Sequence, residues 1–329
     1  MEKTERLILR AEEKRNMNFS EEVKAEILQI DYESDCCRHA LLSAYLRTAG
    51  SVSIIGGKIG FEVTTDNREC ADYIVSAVKG LYGIDPVFLD GKDKPRRKGR
   101  IAFRCVGEGS LAVLVDLGLA SVDEQGVSVK LNIDEYLTEN DCCKVAYIRG
   151  VFLGSGSVTL PSMDSGSSTG YHLEFVFTNY QTATDFCEIL SEVYFLPKLI
   201  ERKGGYIVYL KTRDEISDFL ALIGATKSVL KLAELTVEKD MKNDANRVIN
   251  CEMSNMTKQI DASVKQIRAI MKIEETVGLD SLPSALRVVC EKRKEHKGST
   301  LSELAEILGV SKSCLNHRLR KITEIAENL

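Results

Sequence analysis

No stretch of the chain approaches the roughly 18 consecutive apolar residues that a membrane-spanning helix requires, so no transmembrane segment is expected. The first sixteen residues, MEKTERLILRAEEKRN, are charged throughout and lack the apolar core of a secretory signal. No C-x-x-C pair occurs among the ten cysteines, and only four histidines are present to complete a zinc set. The thiols at 36, 37, 70, 105, 142, 143, 187, 251, 290 and 314 are therefore expected to be reduced and mostly buried, with no metal and no cofactor. An excess of positive charge is missing too. The 44 Lys and Arg against 49 Asp and Glu leave a net charge of −5, which excludes a uniformly basic nucleic-acid coat but not a local basic surface. What is present is ordinary for a folded chain: 44% apolar and 28% charged residues, over a length of 329 that suits two or three domains. A cytoplasmic protein without a membrane partner or a small-molecule substrate is the expectation.

The chain repeats itself. Asp35-Cys36-Cys37-Arg38 recurs as Asp141-Cys142-Cys143-Lys144, an offset of 106 that also pairs Ala40 with Ala146, Gly50 with Gly156, Ser51 with Ser157 and Val52 with Val158. Farther on the offset becomes 112 and pairs Asn67 with Asn179, Ala71 with Ala183 and Tyr82 with Tyr194. The extra residues fall in the Ser/Gly-rich stretch 161–170, which reads as a lengthened hairpin loop. Each block reads as a helix behind an Asp, a hairpin, a second helix, a second hairpin and a short closing helix near Ala120 or Ala225. The fold class is α+β, an αββαββα unit present twice (35–120 and 141–225), with antiparallel sheets covered by helices on one face. Gly150 and Gly154 lie four residues apart on one helical face, with Ala44 and Thr48 as their equivalents. Small residues at that spacing predict close approach of the two repeat-related helices.

Residues 42–50 (LSAYLRTAG) and 148–156 (IRGVFLGSG) resemble two degenerate LAGLIDADG helices, as in homing endonucleases. In that family the acid before the final Gly holds the catalytic divalent metal. Here those positions are Ala49 and Ser155, and hard cations need carboxylate oxygens. No catalytic residues and no metal are therefore expected. A LAGLIDADG saddle normally cups duplex DNA, yet Glu62 and Glu174 at exposed strand positions would repel phosphates. The basic loop carrying Lys92, Lys94, Arg96, Arg97, Lys98 and Arg100 is either a solvated tip or a phosphate clamp, with Arg202, Lys203 and Lys211 contributed by the matching hairpin. A third option is that the saddle binds a protein partner, such as another transcription factor.

After Ala225 the pattern changes. Residues 227–235 read as a short helix, 238–252 (EKDMKNDANRVINCE) as a polar linker with little apolar periodicity, and 253–277 as a separate helix. Residues 301–311 (LSELAEILGVS) and 312–322 (KSCLNHRLRKI) form a helix-turn-helix pattern, with Gly309 at the turn and Ser311 as cap. Leu304, Leu308, Val310, Leu315 and Leu319 would close its core, Leu319 standing in for the late apolar position that falls on Arg318. Residues 292–321 hold eight Lys or Arg against three Glu. The candidate DNA-binding residues are Ser311, Lys312, Ser313, Asn316, His317, Arg318, Arg320 and Lys321; Asn and Arg suit bidentate base contacts, Lys and Ser phosphate contacts.

Two degenerate LAGLIDADG repeats followed by a helix-turn-helix resemble the WhiA family of bacterial regulators, over the chain from about Asn18 to Leu329. The resemblance implies a non-enzymatic, nucleoid-associated transcription factor of sporulation or cell division that binds double-stranded promoter DNA. A divergent endonuclease or RNA maturase is the alternative. The expected organisation is an N-terminal extension (1–19, of which 1–16 precede the segment where family members begin), the duplicated domain (20–237), the linker (238–252) and the helix-turn-helix domain (253–329).

Overall fold

The computed structural model describes residues 17–32, 34–90, 100–161 and 170–329. They group into two units, the first ending at Thr236 and the second running from Val237 to Leu329. Residues 1–16, expected to be an extension, lie outside the described residues.

The first unit begins with helix α1 (Phe19–Ile27), whose Asn18 and Glu21 form a reciprocal capping box and whose Val23 and Ile27 are buried. The first repeat follows as α2 (Asp35–Ala49), β1 (Gly50–Ile55), β2 (Lys58–Thr65), α3 (Arg68–Tyr82), β3 (Val87–Phe88), β4 (Ile101–Val106) and α4 (Ser110–Asp116). A small hairpin, β5 (Ala120–Asp123) with β6 (Gly126–Val129), precedes the second repeat. That repeat is α5 (Asp141–Ser155), β7 (Gly156–Thr159), β8 (His172–Phe177), α6 (Tyr180–Glu192), β9 (Lys198–Arg202), β10 (Gly205–Leu210) and α7 (Arg213–Leu222). The sheets have matching antiparallel orders, β1-β2-β4-β3 and β7-β8-β10-β9, as the duplicated αββαββα pattern requires.

The two repeat-related helices α2 and α5 are the centre of this unit. They are buried around most of their circumference, from Ala40 to Leu46 and from Ala146 to Leu153 with few interruptions, which explains why neither shows a one-sided apolar stripe. The small residues act as predicted. A Cβ on Gly150 would sit 2.7 Å from Ala44 Cβ and collide with the Leu41 carbonyl, and one on Gly154 would collide with the Thr48 hydroxyl. The helices hold their own repeats through equivalent bonds: Ser43 Oγ donates to Leu117 O (2.7 Å), and Arg149 Nε to Ile223 O (2.9 Å), both pairs related by the offset of 106. Phe152, Phe186 and Phe219 pack on Phe175 of the second sheet, with ring centroids 5.0–6.3 Å apart. Each such ring stabilises the fold by about 1.5–3 kcal/mol through burial.

Helix α8 (Thr226–Thr276) corrects the sequence reading. The two helices expected at 227–235 and 253–277, and the supposed linker 238–252 between them, form one continuous helix. No Gly or Pro interrupts residues 226–276. The polar stretch has no break in its helical bonds and is supported along its exposed surface by pairs such as Lys242–Glu238 (3.1 Å) and Arg247–Asp244 (3.3 Å). Its first turn is capped from α1: the backbone N–H groups of Lys227 and Ser228 donate to the Glu26 carboxylate at 2.8 Å each, a negative group at the positive end of a helix. Three helices complete the second unit, α9 (Ser284–Glu295), α10 (Leu301–Ile307) and α11 (Lys312–Glu327). Among the described residues no helix is long and apolar enough to cross a membrane.

Candidate nucleic-acid interface

Helices α10 and α11 form the expected helix-turn-helix, and each of its joints has a physical cause. Thr300 and Glu303 cap α10 reciprocally, at 2.8 and 3.1 Å. Gly309, at φ +63°, ends it: Val310 N–H donates to Ala305 O and Gly309 N–H to Glu306 O, both at 3.0 Å, the paired bonds of a left-handed helix stop. Two residues later Ser311 Oγ accepts from Cys314 N–H (3.2 Å) and starts α11. Leu304, Ala305, Leu315, Leu319, Ile322 and Ala326 then pack with Ile270, Ile273, Leu286 and Val289 into one core, with Leu308 and Val310 partly buried at its edge. Leu319 fills the late apolar position, as anticipated.

That packing fixes which way the polar residues of α11 face. At about 100° per residue, Lys312, Ser313, Asn316, His317 and Arg320 span an arc of roughly 140° that excludes the apolar seam. All five are exposed. Lys321 is exposed at the margin of this arc, and Arg318 is half-buried on the far flank of the seam. Arg320 lies 3.6 Å from Glu324 on an exposed face, an ion pair weak enough to exchange for a base or phosphate. Ser311 keeps its hydroxyl proton free to donate, because its oxygen serves the cap only as an acceptor.

The basic cluster at 292–297 contributes less positive field than its composition suggests. Arg293 is not a surface charge: it is 2% exposed, its Nη1 donates to Ser299 O (2.6 Å), and burial lowers its pKa. It ties α9 to the loop before α10. Lys294 is paired with Glu274 and Lys292 with Glu295 (2.6 Å). Lys297 is exposed, as are Lys312, Arg320 and Lys321 on α11.

In the first unit, Glu62 and Glu174 do lie on the sheet faces turned away from the core, but each has a partner, a charged one in the case of Glu62. Arg104 donates through Nε and Nη2 to one oxygen of Glu62 (3.0 and 2.8 Å), and His172 Nε2 sits 3.0 Å from Glu174. The expected repulsion of phosphates by Glu62 is corrected accordingly, since the register that sets Arg104 opposite it supplies a partner. Lys92, Lys94, Arg96, Arg97 and Lys98 lie outside the described residues; Arg100 is exposed. On the matching hairpin Arg202 and Lys203 are exposed at the tip, where Lys203 (φ +52°) and Gly204 (φ +77°) make the turn. Lys211 is exposed, with its ammonium 4.9 Å from the Tyr209 ring centre.

At the C-terminal ends of α2 and α5, where a LAGLIDADG nuclease holds its metal, Ala49 offers no donor. Ser155 Oγ turns back toward Val151 O (3.4 Å). The strand acids that stand opposite Ser51 and Ser157 in the register, Glu62 and Glu174, are engaged with Arg104 and His172. A neutral methyl and a neutral hydroxyl do not fit a hard divalent cation. One feature of the opposite helix ends was missed from sequence: Cys36, Cys37, Cys142 and Cys143 come together there. Local spacing rules look for ligands a few residues apart, and these pairs are 106 apart. Nor are the thiols mostly buried, since Cys36, Cys142 and Cys251 are exposed and Cys187 and Cys314 partly so.

Three family models match consecutive parts of the chain: a WhiA N-terminal LAGLIDADG-like domain at 35–120, a WhiA LAGLIDADG-like domain at 144–242 and a WhiA C-terminal HTH domain at 245–326. A protein of Alkaliphilus metalliredigens named "Probable cell division protein WhiA" is 36% identical over 94% of this chain and 98% of its own length. One of the same name from Bacillus cytotoxicus is 38% identical over 95% and 97%. The crystal structure of a full-length WhiA protein from Thermatoga maritima matches with a TM-score of 0.56, at 24% identity, covering 95% of this chain and 99% of that one.

Proposed function

The chain belongs to the WhiA family, and from that premise we propose that it is a transcriptional regulator of cell division or sporulation which reads double-stranded promoter DNA through α11. The observation that carries this reading is the single polar face of α11, where Lys312, Ser313, Asn316, His317 and Arg320 are all exposed opposite the core. A helix capped at Ser311 and held by Leu315 and Leu319 presents that face without further rearrangement. Asn316 and Arg320 have the donor geometry for purine edges in the major groove, and Lys312 and Ser313 at the first turn suit phosphates. Such a protein works in the cytoplasm, at the nucleoid.

The duplicated domain in this reading adds affinity without chemistry. Arg202, Lys203 and Lys211 on the second hairpin, with the basic loop of the first, contact DNA phosphates. Replacing Arg202, Lys203 or Lys211 singly by Gln should lower the slope of log K against log salt by about one unit for each lost contact, with sequence preference unchanged. Electrophoretic or anisotropy titrations at several salt concentrations measure this. Unchanged slopes in all three variants would reassign the first unit to a protein partner, the kind of role that another transcription factor could fill.

The alternative, an endonuclease or RNA maturase, is disfavoured by Ala49 and Ser155. Full-length protein incubated with supercoiled plasmid and magnesium or manganese is expected to leave it intact. Metal-dependent nicking that survives further purification and disappears on substitution of Glu62 or Glu174 would overturn the non-enzymatic reading.

A further inference from the structure

Four thiols meet where the two central helices begin. Ser34 and Asn140 are the N-caps of α2 and α5, so Cys36 and Cys142 occupy the second position of their helices and Cys37 and Cys143 the third. The duplication sets these positions side by side, and all four sulfur atoms lie within 4.8 Å of one another, with Cys142 and Cys143 at 4.0 Å. Cys37 and Cys143 are buried beneath; Cys36 and Cys142 are exposed above them, which leaves a path for an ion to enter.

We propose that Cys36, Cys37, Cys142 and Cys143 form a tetrathiolate site for one zinc ion, which clamps the two repeats together at the helix ends remote from Ala49 and Ser155. Tetrahedral zinc holds thiolates at about 2.3 Å, which sets the sulfurs about 3.8 Å from one another. The observed spread is within about 1 Å of that arrangement. It is too tight for a polynuclear iron–sulfur cluster, whose own atoms must separate the ligands. Vicinal pairs on one helix are also poorly placed to be linked to each other as disulfides.

The helix ends favour the charge such a site would carry. Neither Ser34 nor Asn140 makes a side-chain cap bond, unlike the caps of α1, α3, α6, α7, α10 and α11, so the N–H groups of Cys36 and Cys142 at the second position remain available to anionic sulfur, while that of Cys143 donates to Asn140 O (2.9 Å). Two positive helix ends then face four ligands that bind as thiolates. With protons in place of the ion, the four thiols leave both helix ends without a counter-charge. A soft cation displaces those protons and supplies the charge that the buried pair lacks.

The test uses the full chain, purified anaerobically in reductant and stripped of metal. Zinc titrated against a chromophoric chelator is expected to bind at one ion per chain, and cobalt in its place to give the visible bands of a tetrahedral tetrathiolate. The Cys36→Ser/Cys142→Ser variant, altered only at the exposed pair, should lose roughly a hundredfold or more in zinc affinity. It should also lose the zinc-dependent rise in melting temperature expected of the parent, while keeping its metal-free circular dichroism. A Cys251→Ser variant should retain both. No stoichiometric zinc, equal binding by the Cys36→Ser/Cys142→Ser variant, iron–sulfur absorption in protein isolated from cells, or cross-helix disulfides as the form isolated there would each overturn the assignment.

Discussion

Leucine at Gly150 is expected to unfold the duplicated domain of the full chain. The position is on α5 where it crosses α2, and even a methyl group there would meet the Ala44 methyl at 2.7 Å and the Leu41 carbonyl closer still. Neither neighbour is the end of a flexible side chain, so relief requires one helix to move away from the other. Overpacking typically costs about 1–3 kcal/mol, and a leucine against backbone exceeds that. Total stabilities are about 5–15 kcal/mol, so one such contact consumes a large share. Gly150→Ala separates geometry from helix propensity, because alanine in an ordinary helix gains up to about 1 kcal/mol over glycine. We expect Gly150→Ala to lower the melting temperature. Gly80→Ala, on the exposed side of α3 with nothing within 4 Å of the added carbon, should raise or preserve it. Thermal unfolding by circular dichroism compares the three; a Gly150→Leu variant as stable as the parent would mean that α2 and α5 do not pack this closely.

Joint replacement of Asn316, His317 and Arg320 by alanine should reduce specific DNA binding to the level of non-specific binding. Each well-placed bidentate base contact discriminates by about 1–3 kcal/mol. Loss of the set is therefore expected to weaken binding to a preferred site by roughly a thousandfold. Residual binding to random DNA should persist, because Lys312, Lys321 and the first-unit hairpin cations are untouched. The fold should be unaffected: all three side chains are exposed, and alanine is the strongest helix former. Lys312→Ala provides the contrast, weakening preferred and random sequences alike.

Much of this was legible in the residues. The duplication could be read because identical residues recur in order at one offset, and the helix-turn-helix because Gly309, Ser311 and the spaced leucines each have a local job. What escaped was whatever depended on partners far away in the chain. Glu62 looks like a free acid until the β2–β4 register sets Arg104 beside it. Arg293 counts as a surface charge until its guanidinium is found beneath the loop at Ser299. The four cysteines form a cluster only once α2 and α5 are paired. Continuity of α8 was hidden for a different reason: residues 238–252 are exposed except for the half-buried Lys239, so no apolar period marks them as helical. The hairpin at Ala120–Val129 is similarly silent, as most of its side chains face water and the alternation that signals a strand is weak.

We place sequence recognition in α11. The most direct measurement incubates sheared genomic DNA from the source organism with three full-length proteins and sequences what each retains. These are the parent, the Asn316→Ala/His317→Ala/Arg320→Ala variant and an Arg202→Gln/Lys203→Gln/Lys211→Gln variant. The parent and the hairpin variant are expected to enrich the same sites, the latter more weakly at higher salt, while the α11 variant enriches none. Retention of the parent's sites by the α11 variant, with their loss in the hairpin variant, would contradict this placement and move DNA reading to the duplicated domain.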